Sequence, residues 1–229
     1  MKYEKILSGV FLRRPNRFIA EIMVHGKVEI CHVKNTGRCK EILVPGAEVY
    51  VQFCGNSSRK TAFDLIAVRK GELLINIDSQ APNRAVLERI RQGQLFGEID
   101  SVKPECAFGT SRFDFYVEAG KRKIFVEVKG VTLEDSGTAC FPDAPTQRGV
   151  KHLEGLMDCV SAGYEAYVIF VIQMKGPRVF RPNWETHPAF GETLCRAWKA
   201  GVRIKAYDCL ITPESIEMDQ TVPIELERE

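Results

Sequence analysis

Through the first 80 residues, apolar and strand-forming runs are broken by turn residues, which reads as a series of strands. Arg17 to Val24 is rich in strand formers and ends at His25-Gly26, a turn signal, and Lys27 to Val33 follows, so the two read as a hairpin. Ala47 to Cys54 comes after a turn at Pro45-Gly46, and Thr61 to Arg69 and Glu72 to Ile77 are divided at Lys70-Gly71. Five short strands in about 80 residues, with few helical patterns, predict a small closed barrel. Strand counting fits an OB-like and an SH3-like barrel equally. Phe18, which opens an alternating strand, is expected in the core.

The pattern changes near Pro82. Ala85 to Phe96 carries apolar residues at 86, 87, 90 and 95, a helical stripe. Ser111 to Glu118 and Lys123 to Lys129 read as strands around the turn Ala119-Gly120-Lys121-Arg122. Asp143 is expected to cap a helix with Pro145 in its first turn, ending at Gly163. Val150, Leu153, Met157 and Val160 would be its buried stripe, and Gln147, Lys151, Glu154 and Asp158 its polar one. Tyr164 to Ile172 is a continuous apolar run, the mark of a strand covered on both faces. A helix over Pro188 to Ala200 and a strand over Val202 to Tyr207 follow. The segment Pro213 to Glu229 is acidic and short of core residues. The expectation is a two-domain α/β (α+β) chain, with a five-stranded OB-like barrel over 1–80 and an α/β domain over 81–229.

Composition narrows the class. The chain has 229 residues, 45% hydrophobic and 27% charged, as a packed protein requires. No apolar run approaches a membrane span, and the first residues lack a secretory pattern, so a cytoplasmic location is expected. The eight cysteines form no CxxC pair and read as reduced thiols; Cys31, His32 and Cys39 are the nearest approach to a metal cluster. Residues 1–80 hold thirteen Lys or Arg against eight Asp or Glu, whereas the rest hold nineteen against twenty-two. That asymmetry points to a polyanion partner for the first part.

The candidate chemistry lies in Arg112-Phe113-Asp114-Phe115-Tyr116-Val117 and Ile124-Phe125-Val126-Glu127-Val128-Lys129. Glu127 and Lys129 share a strand face. With Gly120-Lys121 as a two-residue turn, Asp114 falls opposite Glu127. Two carboxylates so placed repel unless a cation lies between them, and oxygen ligands suit Mg²⁺ or Mn²⁺. Lys129 would orient a water or stabilise charge on a phosphate. Asp…Glu-x-Lys is the core of the restriction-endonuclease-like, PD-(D/E)xK, nuclease fold; a surface hairpin of alternating charges is the competing reading.

The sequence also resembles the sugar fermentation stimulation protein A family along nearly its whole length. The matching blocks are Arg14 to Ala20, Asn35-Thr36-Gly37, Pro45-Gly46, Pro82-Asn83-Arg84, Ser111 to Phe115, Val126 to Leu133 and Phe141 to Ala144, with Thr146, Arg148-Gly149 and Lys151-His152-Leu153. The resemblance implies an N-terminal OB fold, a C-terminal restriction-endonuclease-like α/β domain, and binding to DNA. It implies catalytic roles for Asp114, Glu127 and Lys129, with Asp114 and Glu127 on the metal. It suggests Glu88 as a carboxylate from the first helix, with Glu98 and Glu105 as rivals, and Gln147 and Lys151 from the following helix, with Arg148 near phosphate. The proline that often precedes the aspartate is replaced by Phe113.

In the basic part, Arg13, Arg14, Arg17 and Arg38 are candidates for phosphate contacts, and Asn35-Thr36-Gly37 is a loop whose N–H groups suit a phosphate or form a simple tight turn. Three functions stay open: a metal-dependent deoxyribonuclease of little sequence specificity, a non-cleaving DNA-binding regulator of sugar-metabolism genes, and a protein-interaction barrel. Double- or single-stranded DNA is the expected partner, no membrane is, and a homodimer is compatible.

Overall fold

A computed structural model describes residues 1–35, 37–55 and 59–228. The first part contains β1 (Ile6–Asn16), β2 (Ile19–Val24), β3 (Lys27–Val33), β4 (Glu48–Phe53), β5 (Phe63–Lys70) and β6 (Leu73–Asn76). Their order is β3-β2-β1-β4-β5-β6, and β3 also pairs in parallel with β5. That pairing closes β1 to β5 into the five-stranded OB barrel, with β6 hairpinned onto β5. The membership differs from the expected one. β1 is the strand outside the expected set: Ile6 to Val10 bury no side chain fully, and the pairing with β2 is irregular between Phe11 and Asn16. Phe18 is not in the core: it stands in the β1–β2 turn, 42% exposed. The inward alternation starts one residue later, with Ala20, Ile22 and Val24 buried.

The second part contains α1 (Ala81–Arg91), β7 (Ser101–Phe108), β8 (Ser111–Ala119), β9 (Arg122–Val131), β10 (Leu133–Asp135), β11 (Thr138–Phe141), α2 (Gln147–Ser161), β12 (Glu165–Ile172), β13 (Val179–Pro182), α3 (Pro188–Lys199), β14 (Arg203–Thr212) and β15 (Ser215–Thr221). A six-stranded sheet runs β15-β14-β12-β9-β8-β7, with β9, β12 and β14 parallel; β10, β11 and β13 form a small one. Pro82 lies in the first turn of α1, so that helix starts earlier than its apolar stripe suggested. The cap of α2 is Thr146, whose hydroxyl accepts from Gly149 N at 3.0 Å, and not Asp143. The acidic end is not outside the core either: β15 buries Ile216 and Met218.

Helices α2 and α3 pack on one face of the large sheet and α1 on the other. Both apolar clusters cross the boundary between the two parts. Phe11, Val49 and Leu65 of the barrel belong with Phe113, Phe170 and Leu153, and Ile66 and Ala67 belong with Ala81, Val86 and Val126. A polar seam follows the same boundary. Gln173 Nε2 donates to Asn76 O and Oδ1 at 3.0 Å and to Asp78 O at 3.1 Å, and Lys70 meets Glu134 at 2.8 Å. The eight cysteines are free thiols, and no described helix is long and apolar enough to cross a membrane.

Candidate active site

β8 and β9 turn at Gly120-Lys121, as the spacing predicts, with Ala119 opposite Arg122 and Phe115 opposite Val126. Gly120 takes φ 60°, a conformation glycine adopts without strain. The paired ladder stops at Phe115, one residue before the expected pair of Asp114 and Glu127. Asp114 reaches across with its side chain instead. Its Oδ2 accepts from Val128 N at 2.7 Å, and its Oδ1 accepts from Asn83 Nδ2 at 2.7 Å. β8 twists at this point. Phe113 packs with Phe125 and the His152 ring, whereas Phe115, two residues on, joins the cluster of α1 on the other face. Burial, and then the negative charge of Glu127, raise the Asp114 carboxyl above the ordinary aspartate range, against the pull of its two donors.

Glu127 is 3% exposed on the face of β9 that meets α2. Its Oε1 receives both Lys129 Nζ and His152 Nδ1. Its Oε2 is buried and finds no hydrogen-bond partner among the described residues. Burial pushes this carboxyl up, but the His152 hydrogen bond and the Lys129 charge outweigh it, so Glu127 lies below the usual glutamate range. A buried carboxylate oxygen without a donor costs free energy on the order of 1–3 kcal/mol. Two hard oxygen donors, one of them unpaired, fit Mg²⁺ or Mn²⁺, which bind through one or two carboxylates and keep several waters. Among the described residues no three His, Cys, Asp or Glu are grouped to hold a metal, so the cation would complete its shell with water and substrate oxygens.

The other sequence candidates divide. Glu88 is not brought to the site: its carboxylate accepts the Met1 ammonium at 2.7 Å. Asn83 and Glu88 are five residues apart, which places them on different sides of α1, and it is Asn83 that meets Asp114. Glu98 is exposed, and Glu105 is exposed and 3.5 Å from Arg112. Gln147 and Lys151 are on the exposed side of α2. The residue that α2 turns inward is His152, with Arg148 one turn before it donating from Nε to His152 Nε2 at 3.3 Å. Asn83 and His152 stand within the resembling blocks but carried no expected role. A histidine among the apolar positions of α2 was the available signal.

In the barrel, Arg14 is tied into the fold. Its guanidinium donates to the carbonyls of Gly37, Arg38, Arg17 and Asn35 at 2.6–3.0 Å. It is therefore a clamp on the loop after β3, not an open phosphate contact. Asn35 Oδ1 accepts from Gly37 N at 2.7 Å, the tight-turn alternative, and Thr36 lies outside the described residues. Arg38 N donates to Asp143 at 3.0 Å, and a side chain at Gly37 would collide with that carboxylate. Arg13 is exposed but paired in two bonds with Glu21. Arg17 lies over the exposed Phe18 ring at 4.7 Å, and the Arg38 side chain is exposed. Arg17, Arg38 and Lys40 border a cleft of about 330 Å³.

Comparison with known proteins matches this architecture in both halves. The profile described as SfsA N-terminal OB domain matches residues 12–77, and that described as Sugar fermentation stimulation protein RE domain matches residues 80–215. A sugar fermentation stimulation protein homolog of Desulfitobacterium hafniense (strain DSM 10664 / DCB-2) is 58% identical over 226 residues, covering 99% of each chain. One from Clostridium beijerinckii is 55% identical over 224 residues, covering 98% of this chain and 99% of that one. A solved structure, described as Pyrococcus furiosus SfsA in complex with Ca²⁺, superposes with a TM-score of 0.86 at 28% identity, covering 98% of both chains.

Proposed function

The chain belongs to the sugar fermentation stimulation protein family, and from that premise we propose that it binds DNA and hydrolyses its phosphodiester backbone with Mg²⁺ or Mn²⁺ and little sequence preference. The observation that carries the reading is the buried, unpartnered Oε2 of Glu127 beside the Asp114 carboxylate, with Lys129 on the same strand face. A protein that only bound DNA would gain nothing from two such carboxylates facing a polyanion, because like charges repel. That the Pyrococcus furiosus relative holds Ca²⁺ supports an oxygen-liganded cation in the family.

Asp114 and Glu127 would hold the cation, which when bound polarises a phosphoryl oxygen and lowers the pKa of a water. Asn83 and Val128 N hold the Asp114 carboxylate in place. Lys129 supplies a donor and a positive charge where the phosphate gains negative charge in the transition state. Arg17, Arg38 and Lys40 meet the DNA backbone, and such contacts read charge rather than sequence.

The test is incubation of linear, nicked, branched and single-stranded DNA with Mg²⁺, Mn²⁺ or chelator. Cleavage of at least one form with metal, and none with chelator, is expected. Lys129→Ala should lower the rate by about a hundredfold or more. Its DNA binding should persist, since one cation contributes about one unit of salt slope. A wild type that binds DNA yet cuts none of these forms would leave the non-cleaving regulator as the function.

A further inference from the structure

His152 is 7% exposed, and its two ring nitrogens have different partners. Arg148 Nε donates to His152 Nε2. An arginine has donors only, so Nε2 must present its lone pair and cannot carry the proton. The proton is then on Nδ1, where the ring donates it to Glu127 Oε1. Arg148 therefore selects the tautomer that allows His152 to hold Glu127.

The consequence concerns Lys129. It shares Glu127 Oε1 with His152. With Lys129 as the sole donor, Glu127 would be a buried charge that lost its partner whenever the lysine turned to a phosphate, and that loss is costly. With His152 in place, Oε1 stays bound and Oε2 keeps its direction while Lys129 moves. We propose that Arg148 and His152 form a positioning relay, Arg148 to His152 to Glu127, which fixes the Glu127 carboxylate for the cation and releases Lys129 for the substrate. The proposal rests on the nuclease reading for its purpose. Arg148, expected from sequence at a phosphate, then acts through the carboxylate.

Two measurements test it. The first needs no cation: ¹⁵N-detected imidazole spectra of the wild type, with the His152 signals identified as those lost in His152→Asn. The Nδ1–H tautomer is expected. The Nε2–H tautomer in the wild type would overturn the relay, whether or not the protein is a nuclease. The second is calorimetry with Mn²⁺ on wild type, His152→Asn and His152→Leu. The Asn amide replaces the Nδ1 donor and should retain Mn²⁺ affinity within about threefold. Leu replaces only bulk and should lose about ten- to a hundredfold, the usual cost of removing a group that orients a metal ligand. Equal affinity of wild type and His152→Leu would overturn the relay alone. A wild type that binds no Mn²⁺ would overturn the nuclease reading, and the purpose of the relay with it.

Discussion

Two charged regions of this chain met opposite fates on folding. In the barrel, the arginines that looked free for a ligand are largely engaged by the protein: Arg14 by four carbonyls and Arg13 by Glu21. In the β8–β9 hairpin, the charges that looked paired for chemistry are together, yet one carboxylate oxygen finds no partner among the described residues. The difference follows from how the positions are fixed. Strand alternation and a two-residue turn determine which side chains share a face. A long arginine beside a loop has many carbonyls within reach, and sequence spacing does not say which it takes.

The sharpest way to break that contrast is at Arg14. If it is structural, Arg14→Ala leaves four carbonyls short of a donor and should cost about 3 kcal/mol of stability, read from urea unfolding. Unchanged stability with weakened DNA binding would return Arg14 to the binding face. Next in size is the response to cation. Mn²⁺ at a hundredfold above its Kd should add about 2.7 kcal/mol to the wild type and little to Asp114→Asn. Without metal the difference between the two should depend on pH. The Asp114 carboxyl is raised in the fold, so its contribution is favourable at low pH and is lost as pH rises through its folded pKa. Both Asp114 oxygens accept from donors and an Asn amide offers only one acceptor, so the pH trend is the readout: the wild type should gain stability relative to Asp114→Asn as pH falls through the folded Asp114 pKa, followed by melts against pH. A difference that does not change with pH would mean that the Asp114 carboxyl is not raised in the fold.

A smaller effect is expected at Asp64 in the barrel. It is 3% exposed, with Lys34 at 3.1 Å and Arg59 also bound to it. Burial raises its carboxyl, but these partners outweigh burial and lower it overall. Its contribution is therefore present above the unfolded aspartate pKa, about 3.9, and is lost as pH falls through the folded value. Asp64→Asn should cost about 1.5 kcal/mol at pH 7, and the gap to wild type should close in strong acid, as followed by denaturant melts against pH. A gap that stays constant with pH would assign the loss to packing. The smallest effect belongs to the side chains left open to solvent. Arg17→Ala and Arg38→Ala should each reduce the slope of log K against log salt for DNA by about one. An unchanged slope in the double variant would place the DNA on another face.

The hairpin was legible because its information is local. The turn at Gly120-Lys121 and the shared face of Glu127 and Lys129 need only the strand period. The contact that Asp114 makes was not, because it depends on a twist in β8 and on Val128 N–H left over where the ladder ends. Glu88 misled because a carboxylate on the first helix is chemically apt, whereas helix rotation gives the site to Asn83. On α2, Gln147 and Lys151, expected toward the site or as a solvated stripe, are exposed, whereas His152, one residue away, is turned inward. The barrel is legible without β1, since β2 to β5 are each rich in strand formers and set off by turn residues, whereas β1 pairs irregularly with β2.

The apolar clusters that cross the boundary near residue 80 bear on how this chain breaks. A protein whose halves merely touch unfolds in two steps, and a nick between them releases two survivors. Here Phe11 and Leu65 share one interior with Phe170, and Ile66 shares the other with Val126. Melting the barrel would strip the large sheet of packing on both faces at once. The halves therefore stand or fall as one cooperative unit, and neither is a cassette that transplants alone. Recombination that exchanged the barrel for a distant relative's would have to carry both linings of the boundary with it.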